Sequence, residues 1–256
     1  MCRLLNLRRS TYYYDPHPRE DRPVRARLIE LAHARPRYGY ERLWILLRRE
    51  GWKDARSRIH RIYKEETLFV RTKPKRRRKI IAQLRVPPPT PKKLNEVWTM
   101  DFMHDQLACG RKIRTLNLVD KLSRESLAIE VDYSLQSKRV IDVLNHVASE
   151  RGYPEVICVD NGSEFTSNAM EQWAYMKEVK IHFIRPGKPT ENGHIEAFNR
   201  RFRDECLDVN AFSSLQHARN EIEKWRIDYN EWRPHTSIGN LTPKEFAKRK
   251  MNQKTA

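Results

Sequence analysis

The sequence is short of paired cysteines and of long apolar runs. Its four cysteines, Cys2, Cys109, Cys158 and Cys206, form no CxxC pair and have no spacing typical of a zinc site or a disulfide framework. No apolar stretch reaches transmembrane length, and the first ten residues lack the apolar core of a secretory signal. These absences argue against a disulfide-rich secreted fold and against a membrane protein, so a cytoplasmic protein in a reducing compartment is expected.

Acidic residues are scarce in the first 93 residues. That segment holds 27 Lys and Arg against 9 Asp and Glu, whereas residues 94–256 hold 24 of each, so the first segment carries the whole net charge of +18. A basic segment joined to a neutral one indicates two functions, one of which is to bind a polyanion. Nucleic acid is the leading candidate, because no basic amphipathic helix with an aromatic-rich apolar face points to a membrane surface.

Composition and periodicity divide the chain into three parts. We predict a helical region at residues 1–71, a linker at 72–93 and a second folded region at 94–250. The linker combines prolines, which favour an extended spacer, with a basic run suited to contacts with phosphates at Arg76, Arg77 and Arg78.

The region before the linker predicts three helices. Apolar residues recur there at helical spacing, and Gly51 marks a turn before the third helix. Two helices joined by a short turn, the second rich in arginine, are typical of a helix-turn-helix. We therefore predict DNA binding by the outward residues of the third helix, Arg56, Arg58 and Arg61.

After the linker the apolar pattern changes to that of strands. The segments EVWTMDFMHD, RKIRTLNLVD and ESLAIEVDY are separated by short turns, which predicts an antiparallel meander. Helices then alternate with the strand segments EVICVD and KIHFIR. This order predicts an α/β fold with a mixed five-stranded sheet flanked by helices.

Three carboxylates occupy positions that this topology can bring together. Asp101 lies within the first strand, Asp160 at the carboxyl end of the fourth, and Glu196 on the helix after the fifth. Clustered carboxylates repel one another and need cations, and hard oxygen ligands suit Mg²⁺ or Mn²⁺. Two such ions about 3.5 to 4 Å apart form a clamp for displacement at phosphorus. The alternative for Glu196 is a solvated row of ion pairs beside a packed helical face.

The helix that carries Glu196 has two distinct faces. Ile195, Phe198, Phe202 and Cys206 recur at helical spacing and are predicted to face the core, while Glu196 shares the adjoining edge with two arginines. A Gly-containing hinge, 187–193, precedes the helix. Asn161 and Asn192 flank the acids, where a turn role and an orienting role are equally consistent. The predicted DNA-binding set on this side comprises Lys188, Asn192, Arg200 and Arg203.

Five segments carry a resemblance to a known family. The segments VDNGSEF and GKPTENGHIEAFNRRF resemble the motifs around the second and third acids of the retroviral-integrase superfamily. The likeness is stronger to OrfB-type transposases of bacterial insertion sequences. VWTMDFMHD resembles that family's first-acid strand, YGYERLWILL its upstream helix-turn-helix, and WRIDYNEWRPHTSIGNLTPKEF its closing segment. The segments occur in the family's order along nearly the whole chain.

The resemblance implies an RNase H-like catalytic core in which Asp101, Asp160 and Glu196 are catalytic residues that bind two Mg²⁺ or Mn²⁺ ions. It implies a DDE transposase that cleaves a phosphodiester at each transposon end and transfers the strand through the freed 3′-hydroxyl. Arg203, seven residues after Glu196, matches a position near the DNA end in that superfamily. The implied partners are double-stranded DNA at element ends and targets and further copies of the chain on DNA, in the bacterial cytoplasm at the nucleoid.

Two alternatives remain from the sequence. A metal nuclease of the RNase H or junction-resolving kind would cut but not join, and a non-catalytic DNA-binding regulator would do neither. The zinc-binding amino-terminal module of retroviral integrases has no counterpart here. The family's active form usually includes an upstream reading frame, so an OrfA-type partner or fusion is also an expectation.

Overall fold

The computed structural model of the chain describes residues 20–68, 90–184 and 193–253, together with Arg8 and Tyr13. Its internal contacts divide the chain into two compact units, Met1–Lys75 and Arg76–Ala256. The division falls inside the predicted linker 72–93, of which residues 72–89 lie outside the described residues, so the domain boundaries stay a prediction. In the described ranges no helix is long and apolar enough to cross a membrane.

The first unit contains three helices, as the sequence predicts. They are α1 (Arg22–Ala34), α2 (Tyr40–Arg49) and α3 (Arg56–Glu65). Gly51 supports the turn between α2 and α3, because its φ of +95° is a conformation that side-chain-bearing residues rarely adopt. The helices bury one apolar stripe each into a shared core, formed by Val24, Leu28, Leu31, Leu43, Leu46, Leu47, Ile59, Ile62 and Tyr63.

The second unit is built on a five-stranded mixed sheet. Its strands are β1 (Val97–Gln106), β2 (Lys112–Asp120), β3 (Ser126–Asp132), β4 (Val156–Val159) and β5 (Lys180–Phe183), in the spatial order β3-β2-β1-β4-β5. The first three strands form the predicted antiparallel meander, and β4 and β5 are parallel to β1. The predicted fold class is therefore confirmed for this unit.

Helices cover both faces of the sheet. They are α4 (Ser137–Arg151), α5 (Asn168–Met176), α6 (Gly193–Glu205), α7 (Leu215–Glu231) and α8 (Pro243–Asn252), with short 3₁₀ helices at Leu207–Val209 and Thr236–Ile238. One core lies between the sheet and α4 and α5. The other lies between the opposite face and α6 and α7, and it buries the predicted stripe of α6, Ile195, Phe198, Phe202 and Cys206.

Alternation along β1 decides which face Asp101 occupies. Trp98 and Met100 belong to the core under α4 and α5, whereas Met103 belongs to the core under α6. Successive side chains of a strand point to opposite faces, so Asp101 shares the face of Met103. The sheet therefore presents Asp101 to the helix that carries Glu196.

A buried ion pair fixes the far end of α6. The guanidinium of Arg233, in the segment after α7, donates two hydrogen bonds to the Glu205 carboxylate, at 2.8 and 2.6 Å. The Arg233 side chain is only 2% exposed. A buried charge needs such a partner, and this pair ties the closing segment of the chain to the last turn of α6.

Candidate active site

Asp101 is a partly buried acid at the centre of the sheet. Its Oδ1 accepts a hydrogen bond from the backbone N–H of Phe102 at 2.8 Å, and its Oδ2 accepts one from the side-chain amide of Asn199 at 2.7 Å. Asn199 lies on α6, one turn after Glu196. The Asp101 carboxylate is thus oriented by its own strand and by the facing helix together.

Asn117 extends this contact across the sheet. It lies opposite Asp101 on β2, is fully buried, and donates from its amide to Oδ1 of Asn199 at 2.7 Å. The chain Asn117–Asn199–Asp101 fixes the register of α6 against β1 and β2. The sequence analysis missed both asparagines, and the available signals were the polar Asn117 inside an apolar strand and the i, i+3 spacing of Glu196 and Asn199.

Asp160 lies in the loop that follows β4. Its Oδ1 accepts a hydrogen bond from the backbone N–H of Gly162 at 3.0 Å. An alanine Cβ at Gly162 would lie 3.0 Å from that same oxygen and 3.5 Å from the ring of Phe165. The constraint is space rather than backbone conformation, because Gly162 has no positive φ.

Two contacts hold the Asp160 loop on the sheet. The buried ring of Phe165 stacks on Phe102 at a centroid distance of 4.9 Å. Arg114, on β2, lies 3.8 Å from the centroid of Phe102 and forms an ion pair with Glu164. Arg114 holds the pKa of Glu164 down at about 2. Glu164 is therefore an acid that stabilises the fold.

Asn161 connects the same loop to the segment that leads towards Glu196. Its side-chain amide donates to the backbone carbonyl of Ile184, just after β5, at 2.9 Å. This bond gives Asn161 a bracing role between two loops at the carboxyl edge of the sheet.

The three predicted acids share one electrostatic environment. Burial raises the pKa of Asp101 to about 6, and repulsion from Asp160 and from Glu196 adds to the rise, although hydrogen bonds from Phe102 and Asn199 oppose it. Repulsion of this kind requires that the acids lie near one another.

Asp101, Asp160 and Glu196 lie near one another but do not form a complete set of metal ligands. Across residues 20–68, 90–184 and 193–253, no three His, Cys, Asp or Glu side chains are arranged to hold a metal ion. The donor set itself, three carboxylates, suits a hard divalent cation.

Asp120, the last residue of β2, has a structural role. It is fully buried, and its oxygens accept hydrogen bonds from the backbone N–H groups of Asn95, Leu122 and Ser123 and from the Ser123 hydroxyl. The three bonds from Leu122 and Ser123 close the turn between β2 and β3, and the bond from Asn95 ties the segment before β1 to that turn. Together they leave little room for another ligand.

The two arginines on the Glu196 edge of α6 differ in their contacts. Arg200 is exposed, and within the described part of the chain it forms no hydrogen bond or ion pair. Arg203 donates to the backbone carbonyl of His104 at 2.6 Å and lies 3.8 Å from the Asp208 carboxylate. Arg200 is therefore free to meet an anion, whereas Arg203 has competing partners.

The three arginines predicted on α3 all have acidic partners. Arg58 is bound most fully, since it contacts the carboxylates of Asp21 and Asp54 and the carbonyl of Glu20, and its side chain is 17% exposed. Two further exposed arginines pair at the surface, Arg56 with Glu41 and Arg61 with Asp21 and Glu65. These contacts place Arg58 in the structure of the helical unit, and DNA contact by any of the three stays a prediction.

Five of the predicted DNA-binding residues lie outside the described residues. They are Arg76, Arg77, Arg78, Lys188 and Asn192.

Comparison with family models identifies the two parts of the chain. Models described as "Integrase core domain" match residues 91–189 and 177–243, and a model described as "HTH-like domain" matches residues 18–78. The chain is therefore an integrase-core protein with an HTH-like region. Its five-stranded sheet and flanking helices form the part that the integrase-core models match, and its first helical unit is the HTH-like region.

Full-length relatives narrow this class. The chain is 45% identical to the insertion element IS407 uncharacterized 31.7 kDa protein of Burkholderia multivorans, over 96% of this chain and 88% of that protein. It is 40% identical to the insertion element IS476 uncharacterized 39.2 kDa protein of Xanthomonas euvesicatoria, over 96% and 71%. It is 26% identical to the transposase InsD for insertion element IS2 of Escherichia coli, over 90% and 80%. The chain belongs to the family of insertion-element transposases, and the predicted OrfB-type resemblance is confirmed.

A solved structure shares the fold. A chain of the simian T-cell lymphotropic virus intasome in complex with PP2A regulatory subunit B56 gamma matches with a TM-score of 0.54 and 17% identity, over 87% of this chain and 74% of that chain. The likeness supports the RNase H-like architecture expected from the sequence.

A methyl group at Gly162 should disturb Asp160 selectively. In Gly162→Ala the new Cβ crowds the Asp160 carboxylate, so cleavage of element-end DNA, the activity proposed below, should fall about 10- to 100-fold with little change in unfolding temperature. Gly39→Ala is the control, because a Cβ there meets nothing within 4 Å. Cleavage assays and thermal unfolding of both variants test this, and full cleavage by Gly162→Ala would contradict it.

The Arg114–Glu164 pair should stabilise the fold in a pH-dependent way. The folded-state pKa of Glu164 lies below its ordinary value of 4.5. The stabilisation is therefore present above pH about 4.5 and is lost as the pH falls towards about 2. Glu164→Gln should cost about 1.5 to 3 kcal/mol of unfolding free energy at pH 7, and less as the pH falls through this window.

The matched control for this pair is Glu155→Gln, at an exposed position, which should change the unfolding free energy by less than about 0.5 kcal/mol. Denaturant unfolding at several pH values measures both variants. A Glu164→Gln cost that stays constant with pH would show that the ion pair is not its source.

Arg58 and Arg56 should differ in their effect on the helical unit. Arg58→Ala leaves the Asp54 carboxylate without its arginine and Asp21 with Arg61 alone, and we expect a cost of about 2 to 4 kcal/mol. Arg56→Ala removes an exposed pair and should cost much less. Hydrogen exchange of the α1–α3 amides in the full chain measures the loss of unfolding free energy in each variant. Equal losses in the two variants would contradict a structural role for Arg58.

Proposed function

We propose that the chain is a DNA transposase that cleaves the phosphodiesters at the ends of its own element and then transfers the strands through the freed 3′-hydroxyls. Asp101, Asp160 and Glu196 are its catalytic residues and its metal ligands. The observation that carries this proposal is the hydrogen bond that Asn199, one turn after Glu196 on α6, donates to Asp101 on the central strand of an integrase core. Burial and then repulsion from Asp160 and Glu196 raise the pKa of Asp101, which agrees with this placement.

The three acids would hold two Mg²⁺ or Mn²⁺ ions. Such ions activate the attacking oxygen and stabilise the leaving oxygen of an in-line displacement at phosphorus. The proposed donor set consists only of carboxylates, which is what these cations prefer, and their mutual repulsion is relieved by positive charge.

The chain's own groups position these acids. Asn199 and the N–H of Phe102 orient the two oxygens of Asp101, and the N–H of Gly162 orients Asp160. The apolar stripe of α6 holds Glu196 against the sheet. Cleavage and joining are both displacements at phosphorus, so one site of this kind serves both steps.

The proposed partner is double-stranded DNA, both at element ends and at targets. Support comes from the HTH-like first unit, from the basic charge of residues 1–93 and from exposed Arg200 near Glu196. Arg56, Arg61 and Arg203 are proposed to exchange their present acidic partners for phosphates or bases on binding, and Arg76, Arg77, Arg78, Lys188 and Asn192 complete the proposed contacts.

We also propose that several copies of the chain assemble on DNA, because two element ends must be processed together. An OrfA-type upstream partner and a position at the nucleoid remain expectations from the sequence alone.

Removing one negative charge at a time should separate catalysis from binding. Asp101→Asn, Asp160→Asn and Glu196→Gln each keep the side-chain shape, and we expect each to reduce cleavage and strand transfer by more than about 100-fold, beyond the 10- to 100-fold typical of outer-shell changes. DNA binding should stay near the wild-type level. Labelled element-end DNA with Mg²⁺ provides both assays, and Asp142→Asn, on the exposed side of α4, is the control.

Three outcomes would count against the proposal. A variant that fails to cleave but joins a precut end at the wild-type rate would break the idea of a shared site. A wild-type chain that cuts without joining would indicate a nuclease of the RNase H or resolvase kind. A chain that binds element ends but neither cuts nor joins would indicate a regulator.

A further inference from the structure

A cationic groove lies in the second unit, apart from the three acids. It has a volume of about 380 Å³ and forms where the segment before β1 meets the end of α8. Its apolar floor comes from Leu94, Leu122 and Met251, and no Asp or Glu lines it. We call it the lysine groove, after the three lysines that line it, Lys92, Lys93 and Lys250.

The segment that carries two of these lysines is held rigidly. The Glu96 carboxylate accepts hydrogen bonds from the backbone N–H groups of Lys92 and Lys93, at 2.6 and 2.8 Å. Asn95 is anchored beside them. Its N–H donates to Asp120 at 3.0 Å, its side-chain amide donates to the carbonyls of residues 151 and 152, and its side-chain oxygen accepts from Trp98. The groove is therefore preorganised rather than formed on binding.

The ammonium groups of the groove have few competing partners. Within the described residues neither Lys92 nor Lys93 forms a side-chain hydrogen bond or an ion pair within 4 Å, and Lys250 lies 6.0 Å from the ring of Phe246. Two carboxylates lie beside the lining residues, and both are already engaged. Glu96 accepts hydrogen bonds from the N–H groups of Lys92 and Lys93, and Asp120 accepts one from the N–H of Asn95. Among the described residues the three lysines of the groove have no ion-pair partner, which leaves the groove positive.

A DNA backbone fits this combination of groups. Lysine ammonium groups contact phosphates, while an apolar floor suits the deoxyribose between them. The groove also continues the basic stretch of the sequence, because residues 72–93 contain nine Lys and Arg and no Asp or Glu. A small anion would need fewer cations and no apolar floor.

The chain limits the distance between the groove and Asp101. Asn95 precedes Asp101 by six residues, and extended chain rises about 3.3 Å per residue, so the two backbone positions are at most about 20 Å apart. B-DNA rises about 3.4 Å per base pair, so this upper limit corresponds to about six base pairs. One duplex is therefore long enough to contact both places.

We propose that the lysine groove binds the phosphodiester backbone of the duplex whose end is processed at Asp101, within about six base pairs of the reacting bond. The inference rests on the proposed function for the identity of that duplex. Contact with phosphates alone carries no sequence information, so the groove strengthens binding to every duplex and does not select the element end.

Lysine footprinting of the full chain tests the contact directly. Acetylation is followed by mass spectrometry with and without a saturating duplex of random sequence. We expect Lys92, Lys93 and Lys250 to lose reactivity severalfold on DNA, while Lys180 on β5 and Lys224 on α7 keep theirs. Unchanged reactivity of the three groove lysines at saturation would overturn the proposal.

A charge-matched pair of triple variants tests the energetics. Lys92→Gln with Lys93→Gln and Lys250→Gln should weaken binding to end and random duplexes alike and flatten the slope of log K against log salt by about 2.7, at about 0.9 per phosphate lost. The control replaces three lysines elsewhere, Lys177, Lys180 and Lys224, by Gln. If both triple variants weakened DNA binding and its salt dependence equally, the loss would come from the net charge alone, and the proposed contact at the groove would be wrong.

The outcomes also separate this proposal from the proposed function. If DNA does not protect the groove lysines from acetylation but Asp101→Asn abolishes cleavage, the proposed DNA contact of the groove is wrong and the proposed transposase activity is supported. Protected groove lysines in a chain whose cleavage survives Asp101→Asn support the groove and contradict the catalytic assignment.

Discussion

Repulsion among three carboxylates is the constraint on which the candidate site depends. Burial raises the pKa of Asp101 to about 6, and repulsion from Asp160 and Glu196 adds to the rise. Folding places the acids there because other contacts outweigh the repulsion, namely the apolar stripe of α6 and the buried Arg233–Glu205 pair. The fold thus holds three like charges near one another, and a cation is the simplest agent that can complete their approach.

Hydrogen bonds from neutral groups make this arrangement specific. The chain Asn117–Asn199–Asp101 joins β2, α6 and β1 at the level of the acids, so a shift of α6 by one residue would break two bonds between buried or half-buried groups. Gly162 helps to position Asp160 because, without a Cβ, it leaves space beside the Asp160 carboxylate. If these contacts were broken, buried polar groups would lose their hydrogen-bond partners, which costs free energy. This cost opposes a movement of α6, the helix that carries Glu196, away from the sheet.

Local patterns predicted the elements, and long-range contacts account for what they missed. The alternating segments gave all five strands, and the helical spacing of Ile195, Phe198 and Phe202 gave the buried face of α6. The bonds from Asn199 to Asp101 and from Asn117 to Asn199 join residues 98 and 82 positions apart, which no local pattern reveals. The same limit applies to Arg58: its helical position suggested an outward side chain, but Asp21, 37 residues earlier, binds it. Counting charges located the basic segment. It could not show which arginines of that segment form ion pairs within the fold, as Arg58 does.

The central claim is that Asp101, Asp160 and Glu196 converge on one divalent-cation site when DNA is bound. A crystal structure of the full chain with element-end DNA and Mn²⁺, with anomalous difference maps, measures this directly. The account predicts anomalous density in contact with oxygens of all three acids, with Asn199 still bonded to Asp101. Density held by other residues, or a Glu196 side chain turned away from Asp101 and Asp160 in the DNA complex, would contradict it.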